Sequence, residues 1–148
     1  MKIIINGCFD LLHKGHVRLI NTALKYSDNG KVLVLLNSDD SIKALKGDRR
    51  PLEHITTRSE AIHKVFHRFQ RTQMEYPNMI VRIFNTEKEL ADIIDEFEPD
   101  IIIKGDDRPD VRTIVGYGKW PIMFIPTVTG QDGNKISSTD IAKERGLL

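Results

Sequence analysis

The chain opens on three β-branched residues, Ile3-Ile4-Ile5, closed at once by Asn6-Gly7. A short continuous apolar run bounded by turn residues reads as a strand buried on both faces, as in a parallel sheet. Val17, Ile20, Ala23 and Leu24 then recur at helical spacing, with Leu19 widening the stripe. They predict a helix over 15–27, broken by Asp28-Asn29-Gly30. The run 32–36 predicts a second buried strand, closed by Asn37-Ser38-Asp39-Asp40. The stretch 41–56 is irregular and basic, and predicts a short helical turn and a mobile loop. Thr57-x-x-Glu60 has the form of a capping box for a helix whose inward face is Ile62, Val65, Phe66 and Phe69. Residues 79–84 predict a third strand. Thr86-x-x-Glu89 then has the spacing to cap a helix that turns Leu90, Ile93, Ile94 and Phe97 inward. Pro99 precedes a fourth strand at 101–103, which runs into Lys104-Gly105-Asp106-Asp107. A short helix at 111–115 leads to a fifth strand at 122–125, and Ser137-x-x-Asp140 can cap a last helix reaching 144.

Five apolar strands alternating with helices predict an α/β domain: an open five-stranded parallel sheet in a three-layer α/β/α arrangement. At 148 residues the chain reads as one domain, 1–148. In open sheets of this kind ligands bind outside the carboxyl ends of the strands. The polar segments 6–16, 37–50, 104–108 and 126–139 are therefore expected to meet in one crevice.

Composition narrows the partners. The 22 Lys and Arg against 21 Asp and Glu leave a formal charge of +1, which excludes a chain built to coat nucleic acid but leaves room for a local anion pocket. The one cysteine, Cys8, has no internal disulfide partner and points to a reducing compartment. No apolar run reaches the ~18 residues of a spanning helix. The opening MKIIINGCFD lacks a signal-peptide cleavage site, so a cytoplasmic protein with no membrane partner is expected.

The sharpest local feature is His13-Lys14-Gly15-His16, just after a buried strand and at the start of a helix. Two imidazoles three positions apart can address one anion, and the free N–H groups of the helix start add positive potential. Gly7 and Gly15 carry no Cβ and allow close backbone approach to a ligand. The alternative is a paired cap and turn in which the histidines simply pack. Zinc is the weaker reading, because Cys8 and two histidines are an incomplete ligand set. Lys43, Lys46, Arg49 and Arg50 offer cations for phosphate oxygens, against the alternative of a solvated charged loop. Ile136-Ser137-Ser138-Thr139-Asp140-Ile141 brings hydroxyls and N–H groups to a helix start, as an anion seat or a plain cap. Gly105-Asp106-Asp107 places carboxylates at a strand end, where they can hold hydrated magnesium, bind a hydroxyl, or cap the turn. No G-x-G-x-x-G follows the first strand and no GxxxxGK[ST] occurs, which disfavours a dinucleotide site and excludes a P-loop. Cys8 has no assembled orienting group, so cysteine nucleophilic chemistry is disfavoured.

Taken in order, these segments resemble the nucleotidylyltransferase family that contains bacterial heptose-phosphate adenylyltransferase and glycerol-3-phosphate cytidylyltransferase. Residues 6–16, NGCFDLLHKGH, match the family's NGCFD-x-LH-x-GH opening. Asn37-Ser38-Asp39, Leu45-Lys46-Gly47 and Arg50-Pro51 resemble the heptose-phosphate branch. Lys104-Gly105-Asp106-Asp107 and Ile136-Ser137-Ser138-Thr139 resemble two later segments. The resemblance covers nearly the whole chain and implies a Rossmann-like fold and transfer of a nucleoside monophosphate from a triphosphate to a phosphorylated acceptor, with release of pyrophosphate.

The resemblance also assigns roles. It implies that His13, His16 and Lys46 are catalytic, stabilising phosphates. It implies nucleotide binding by Gly7, Cys8, Phe9, Asp10 and Gly15 in the first loop, by Lys43 and Arg58 around the basic loop, and by Gly105, Asp107, Ser137, Ser138 and Thr139. Asp10 and Asp107 are the implied Mg2+ residues, and a homodimer is the implied assembly. Where the glycerol-phosphate branch carries Arg-Thr-x-Gly, this chain has Pro126-Thr127-Val128-Thr129-Gly130, without the arginine, followed by an insertion over 131–135. That favours ATP and a sugar phosphate such as heptose 1-phosphate. CTP with glycerol 3-phosphate or another polyol phosphate is the alternative, and a non-catalytic nucleotide-binding regulatory module is the alternative outside enzymes.

Overall fold

In the computed structural model Ile3, Ile4 and Ile5 lie on the central strand of the sheet and have no exposed surface. The structure describes residues 1–106, 110–126 and 138–146. Among these, the strands are β1 (Lys2–Gly7), β2 (Lys31–Asn37), β3 (Asn78–Phe84), β4 (Ile101–Gly105) and β5 (Ile122–Ile125). They pair in parallel in the order β3-β2-β1-β4-β5. The helices are α1 (Lys14–Ser27), α2 (Asp39–Lys46), α3 (Ile55–Arg71), α4 (Glu87–Phe97) and α5 (Ser138–Glu144). The expected α/β architecture with five parallel strands is the one observed.

Alternation along the strands divides the core in two. Ile3, Ile5, Val32, Val34 and Leu36 turn to one face, where they meet Ile20 and Leu24 of α1 and Ile62 and Val65 of α3. Ile4, Leu33, Leu35 and Ile102 turn to the other, against Leu90, Ile93 and Ile94 of α4. Continuous apolar strands are what two covered faces require.

Local expectations hold where the chain itself supplies the cap. Thr86 Oγ1 accepts from Glu89 N at 3.1 Å and starts α4 as its spacing predicts. The capping box expected at Thr57 does not form. Helix α3 begins three residues earlier, with His54 in place of Thr57 as an N-cap that makes no side-chain cap bond. Tertiary bonds to the preceding segment, described below, fix that start instead. The irregular stretch after β2 begins with a regular helix, α2, capped by Ser38 Oγ accepting from Ser41 N at 3.1 Å. The helix expected at 111–115 is a single 3₁₀ turn, Val111–Thr113, capped by Asp110. Ser137 lies outside the described residues.

Ile4 packs between the central strand and α4 with no exposed surface. Ile4→Ala should cost about 2–5 kcal/mol of stability through lost burial and the cavity left behind. Urea unfolding should show a lower midpoint with an unchanged slope. A loss below about 1 kcal/mol would contradict this packing.

Candidate active site

The order β3-β2-β1-β4-β5 means that the chain builds outward from β1 in one direction and then returns to add β4 and β5 on the other side. The strand order reverses between β1 and β4, and the ladder there is short. It pairs Ile3 with Ile101 and Ile4 with Ile102, whereas β1 stays paired with β2 up to Gly7 and Leu36. The point where the strand order reverses is the position that binds ligands in open α/β sheets. Lys104 reaches back there from β4 to β1, with Nζ 3.2 Å from Asn6 Oδ1.

The histidine turn closes the loop after β1. His13 is the N-cap of α1, and its Nδ1 accepts from Gly15 N at 3.0 Å. His16 reaches back so that its Nδ1 accepts from His13 N at 3.2 Å. The two rings stack with centroids 3.8 Å apart, and Phe9 meets His16 edge-on at 5.3 Å. An Nδ1 that accepts a hydrogen bond carries no proton, so each neutral ring has its N–H at Nε2. The pair thus caps the helix from both ends of the turn. Gly15 has a specific reason here: a Cβ at this position would lie 2.8 Å from His13 Cε1. The freedom expected to admit a ligand instead admits the capping ring.

Behind the turn lies a network of buried charge. Arg58 has no exposed surface. Its Nη1 donates to Cys8 O at 2.9 Å and Asn37 O at 2.8 Å, its Nε to Glu53 O at 3.0 Å, and its Nη2 to Asp39 Oδ1 at 2.7 Å. Four acceptors from four segments converge on one guanidinium. Asp10, 1% exposed, accepts from Leu52 N at 2.8 Å and Glu53 N at 2.9 Å, with Arg50 Nη1 at 3.5 Å. Glu53 Oε1 returns the contact by accepting from Leu11 N at 2.9 Å. These bonds hold Phe9 and Leu11 at φ 50° and 54°, a left-handed backbone that bulky residues rarely adopt.

Three of the expected residues are engaged within the protein itself. Arg58 acts on the protein: its donors hold strand ends and loops, which leaves it no face toward a nucleotide. Asp10 ties the 50–53 segment to the first loop and is too enclosed to ligate Mg2+, which keeps several of its waters. Arg50, grouped with the phosphate-binding cations in the sequence, is 7% exposed and belongs to the same tie. Among the described residues no three His, Cys, Asp or Glu side chains gather to hold a metal.

The remaining expected residues are distributed as follows. Gly7 ends β1, and half-buried Cys8 contributes its carbonyl to Arg58. Lys43 and Lys46 are exposed on the last turn of α2, where they also complement the helix dipole, and Gly47 follows at φ 94°. Gly105 ends β4. Asp107 and Ser137 lie outside the described residues; Ser138 and Thr139 open α5, and nothing is described of their side chains. Glu53 and His54 were missed. Glu53 is an isolated acid in a basic stretch, a weak signal. His54, 88% exposed, has Nδ1 3.5 Å from Asp39 Oδ2 and carries no signal at all.

The fold and the histidine turn define a nucleotidylyltransferase-like α/β domain. The chain belongs to the cytidylyltransferase-like family, whose model matches residues 4–144. The bifunctional protein HldE of Hydrogenovibrio crunogenus is 38% identical over 109 residues, 73% of this chain and 20% of that protein. HldE of Campylobacter fetus is 36% identical over 134 residues, 90% of this chain and 26% of that protein. The chain therefore spans about a fifth to a quarter of the length of these relatives. Among solved structures, the lipopolysaccharide core biosynthesis protein of Thermoplasma volcanium shares the fold with a TM-score of 0.59 at 20% identity, covering 88% of this chain and 98% of that one. A universal stress protein of Archaeoglobus fulgidus does so at 0.54 and 15% identity, covering 84% and 93%.

Two predictions follow from the buried network. Arg58→Lys keeps the charge but not the planar fork, and should lose about 3–5 kcal/mol in denaturant unfolding; a loss below about 1 kcal/mol would contradict the tie. Burial by itself raises the Asp39 carboxyl, but hydrogen bonds from Arg58 and Ile55 N–H, the Arg58 charge and the His54 contact outweigh it, and the net shift is downward. A carboxyl held low stabilises the fold above its ordinary range, and that contribution drains away as pH falls through the folded value. Thermal midpoints should therefore drop below about pH 4, and Asp39→Asn should flatten that acid limb. An acid limb of unchanged steepness in the variant would contradict the assignment.

Proposed function

We propose that the chain transfers AMP from ATP to a sugar phosphate such as heptose 1-phosphate and releases pyrophosphate. The observation that carries this reading is the histidine turn at the switch point. Two stacked imidazoles, each with Nδ1 engaged by a backbone N–H, stand beside the start of α1.

The chemistry asks for little more than alignment and charge management. The acceptor phosphate already carries nucleophilic oxygens, and one of them attacks the α-phosphorus. The bond from that phosphorus to the bridging oxygen breaks, and pyrophosphate leaves with the electron pair. The obstacle is repulsion between two anions. His13 and His16 donate to the phosphate oxygens as charge moves onto the leaving group, and fixed donors need no reorganisation at that moment. Lys46, with Lys43, supplies mobile positive charge from the end of α2. Ser137, Ser138 and Thr139 seat the triphosphate, with Gly105, the last residue of β4, and Asp107. Magnesium arrives with the triphosphate as part of that substrate. A homodimer in the cytoplasm is the proposed working form.

ATP is favoured over CTP because the stretch after β5 lacks the arginine of the glycerol-phosphate branch. Pyrophosphate release should be measured with ATP, CTP, GTP and UTP crossed against sugar 1-phosphates and glycerol 3-phosphate. The expected result is turnover with ATP and a sugar 1-phosphate. CTP with glycerol 3-phosphate would move the chain to the other branch, and no turnover would favour a binding module. His16→Asn separates catalysis from capping, because an amide oxygen can accept from His13 N while the Nε2–H is lost. Turnover should fall by about 100-fold or more with the circular dichroism spectrum intact. Unchanged turnover would overturn the role of His16.

A further inference from the structure

Away from the switch point, α3 carries a second histidine pair. Glu60, His63 and His67 occupy positions i, i+3 and i+7 of this helix and, with Ser59 and Lys64, line a shallow open groove. His63 and His67 are exposed, so neither is required by the core. Positions four apart bring Cβ atoms to about 5–6 Å. Two histidines at this spacing can close on one metal ion.

The ring hydrogen bonds set the side that faces a ligand. His63 Nδ1 lies 3.1 Å from Ser59 O, and His67 Nδ1 lies 3.1 Å from Gln70 Oε1. Ser59 O cannot donate, so a neutral His63 ring bonded to it has its proton at Nδ1 and its lone pair at Nε2, and the Nδ1–H tautomer of His67 bonds Gln70 Oε1 in the same way. Metal-bound histidine has the same arrangement: one nitrogen gives its proton to an oxygen that orients the ring, and the other ligates. This is the reverse of His13 and His16, where Nδ1 accepts.

We propose that His63 and His67 form a two-imidazole site for a late first-row divalent cation, with water completing the coordination shell. Imidazole and water ligands select Ni2+ and Cu2+ in this class over Mg2+. Glu60, one turn before His63, offsets the charge of the ion, and Lys64 is the opposing cation in the groove. The ion links adjacent turns of the helix whose first turn carries Arg58, so its binding stabilises the fold by mass action. The site does not depend on the transferase reading.

Calorimetric titration of the whole chain with Ni2+ near neutral pH, in a non-coordinating buffer, tests the proposal. Ni2+ is the suitable probe because Cu2+ would also oxidise Cys8. His63→Ala and His67→Ala should each weaken binding by about tenfold or more, since each leaves one imidazole without its chelate partner. His13→Ala should leave it unchanged. In the wild type, Ni2+ should broaden the ring-proton resonances of His63 and His67 first. No binding, equal binding by the His63 and His67 variants, or a loss confined to His13→Ala would each overturn the proposal.

Discussion

A guanidinium with no access to water is the constraint around which this site is built. Burying an unpaired charge is prohibitive, so Arg58 can occupy its position only if several acceptors come to it. They come from Cys8 after β1, Asn37 at the end of β2, Asp39 at the start of α2 and Glu53 before α3. The requirement works in reverse as well. Four segments separated along the chain are held to one another because none can move without taking an acceptor from the buried cation. The sheet brings the strand ends to one edge, and Arg58 fixes the loops that leave it.

The network passes this order on to the histidine turn. Asp10 and Glu53 clamp the loop after β1 from opposite sides, through Leu52 N, Glu53 N and Leu11 N. A loop held this way can keep Phe9 and Leu11 in a backbone conformation they would otherwise avoid. The loop then delivers His13 to the N-cap, and the reciprocal bonds of His13 and His16 orient both rings through their Nδ1 atoms. Charged residues in this region thus divide into two sets. Arg58, Asp10 and Arg50 are enclosed and serve geometry, whereas Lys43 and Lys46 are exposed and stay free to meet an anion.

The sheet was legible in the sequence because every strand is a short apolar run and every connection interrupts it. The α4 cap was legible for the same local reason: Thr86 and Glu89 are three residues apart and need no help from the rest of the chain. What failed was non-local. Thr57-x-x-Glu60 has the form of a cap, but the start of α3 is set by bonds from residues 50–54 to Asp10 and Arg58, some 40 positions apart in one case. The same distance in sequence hid the roles of Asp10 and Arg50. A carboxylate beside a histidine motif resembles a metal ligand until its enclosure is known, and an arginine in a basic loop resembles a phosphate contact until its partner is known. His13 and His16 stood out because their spacing, the adjacent strand and the glycine between them are all local.

Phosphorus NMR of ATP incubated with a sugar 1-phosphate and the protein tests the central claim most directly, because it reports which phosphate bond is cut. Attack at the α-phosphorus predicts inorganic pyrophosphate together with a new pair of mutually coupled diphosphate resonances from the nucleotide sugar, in equal amounts. ADP with a second phosphate on the sugar, ADP with free phosphate, or pyrophosphate with free AMP would contradict it, since none of these joins the α-phosphorus to the acceptor phosphate.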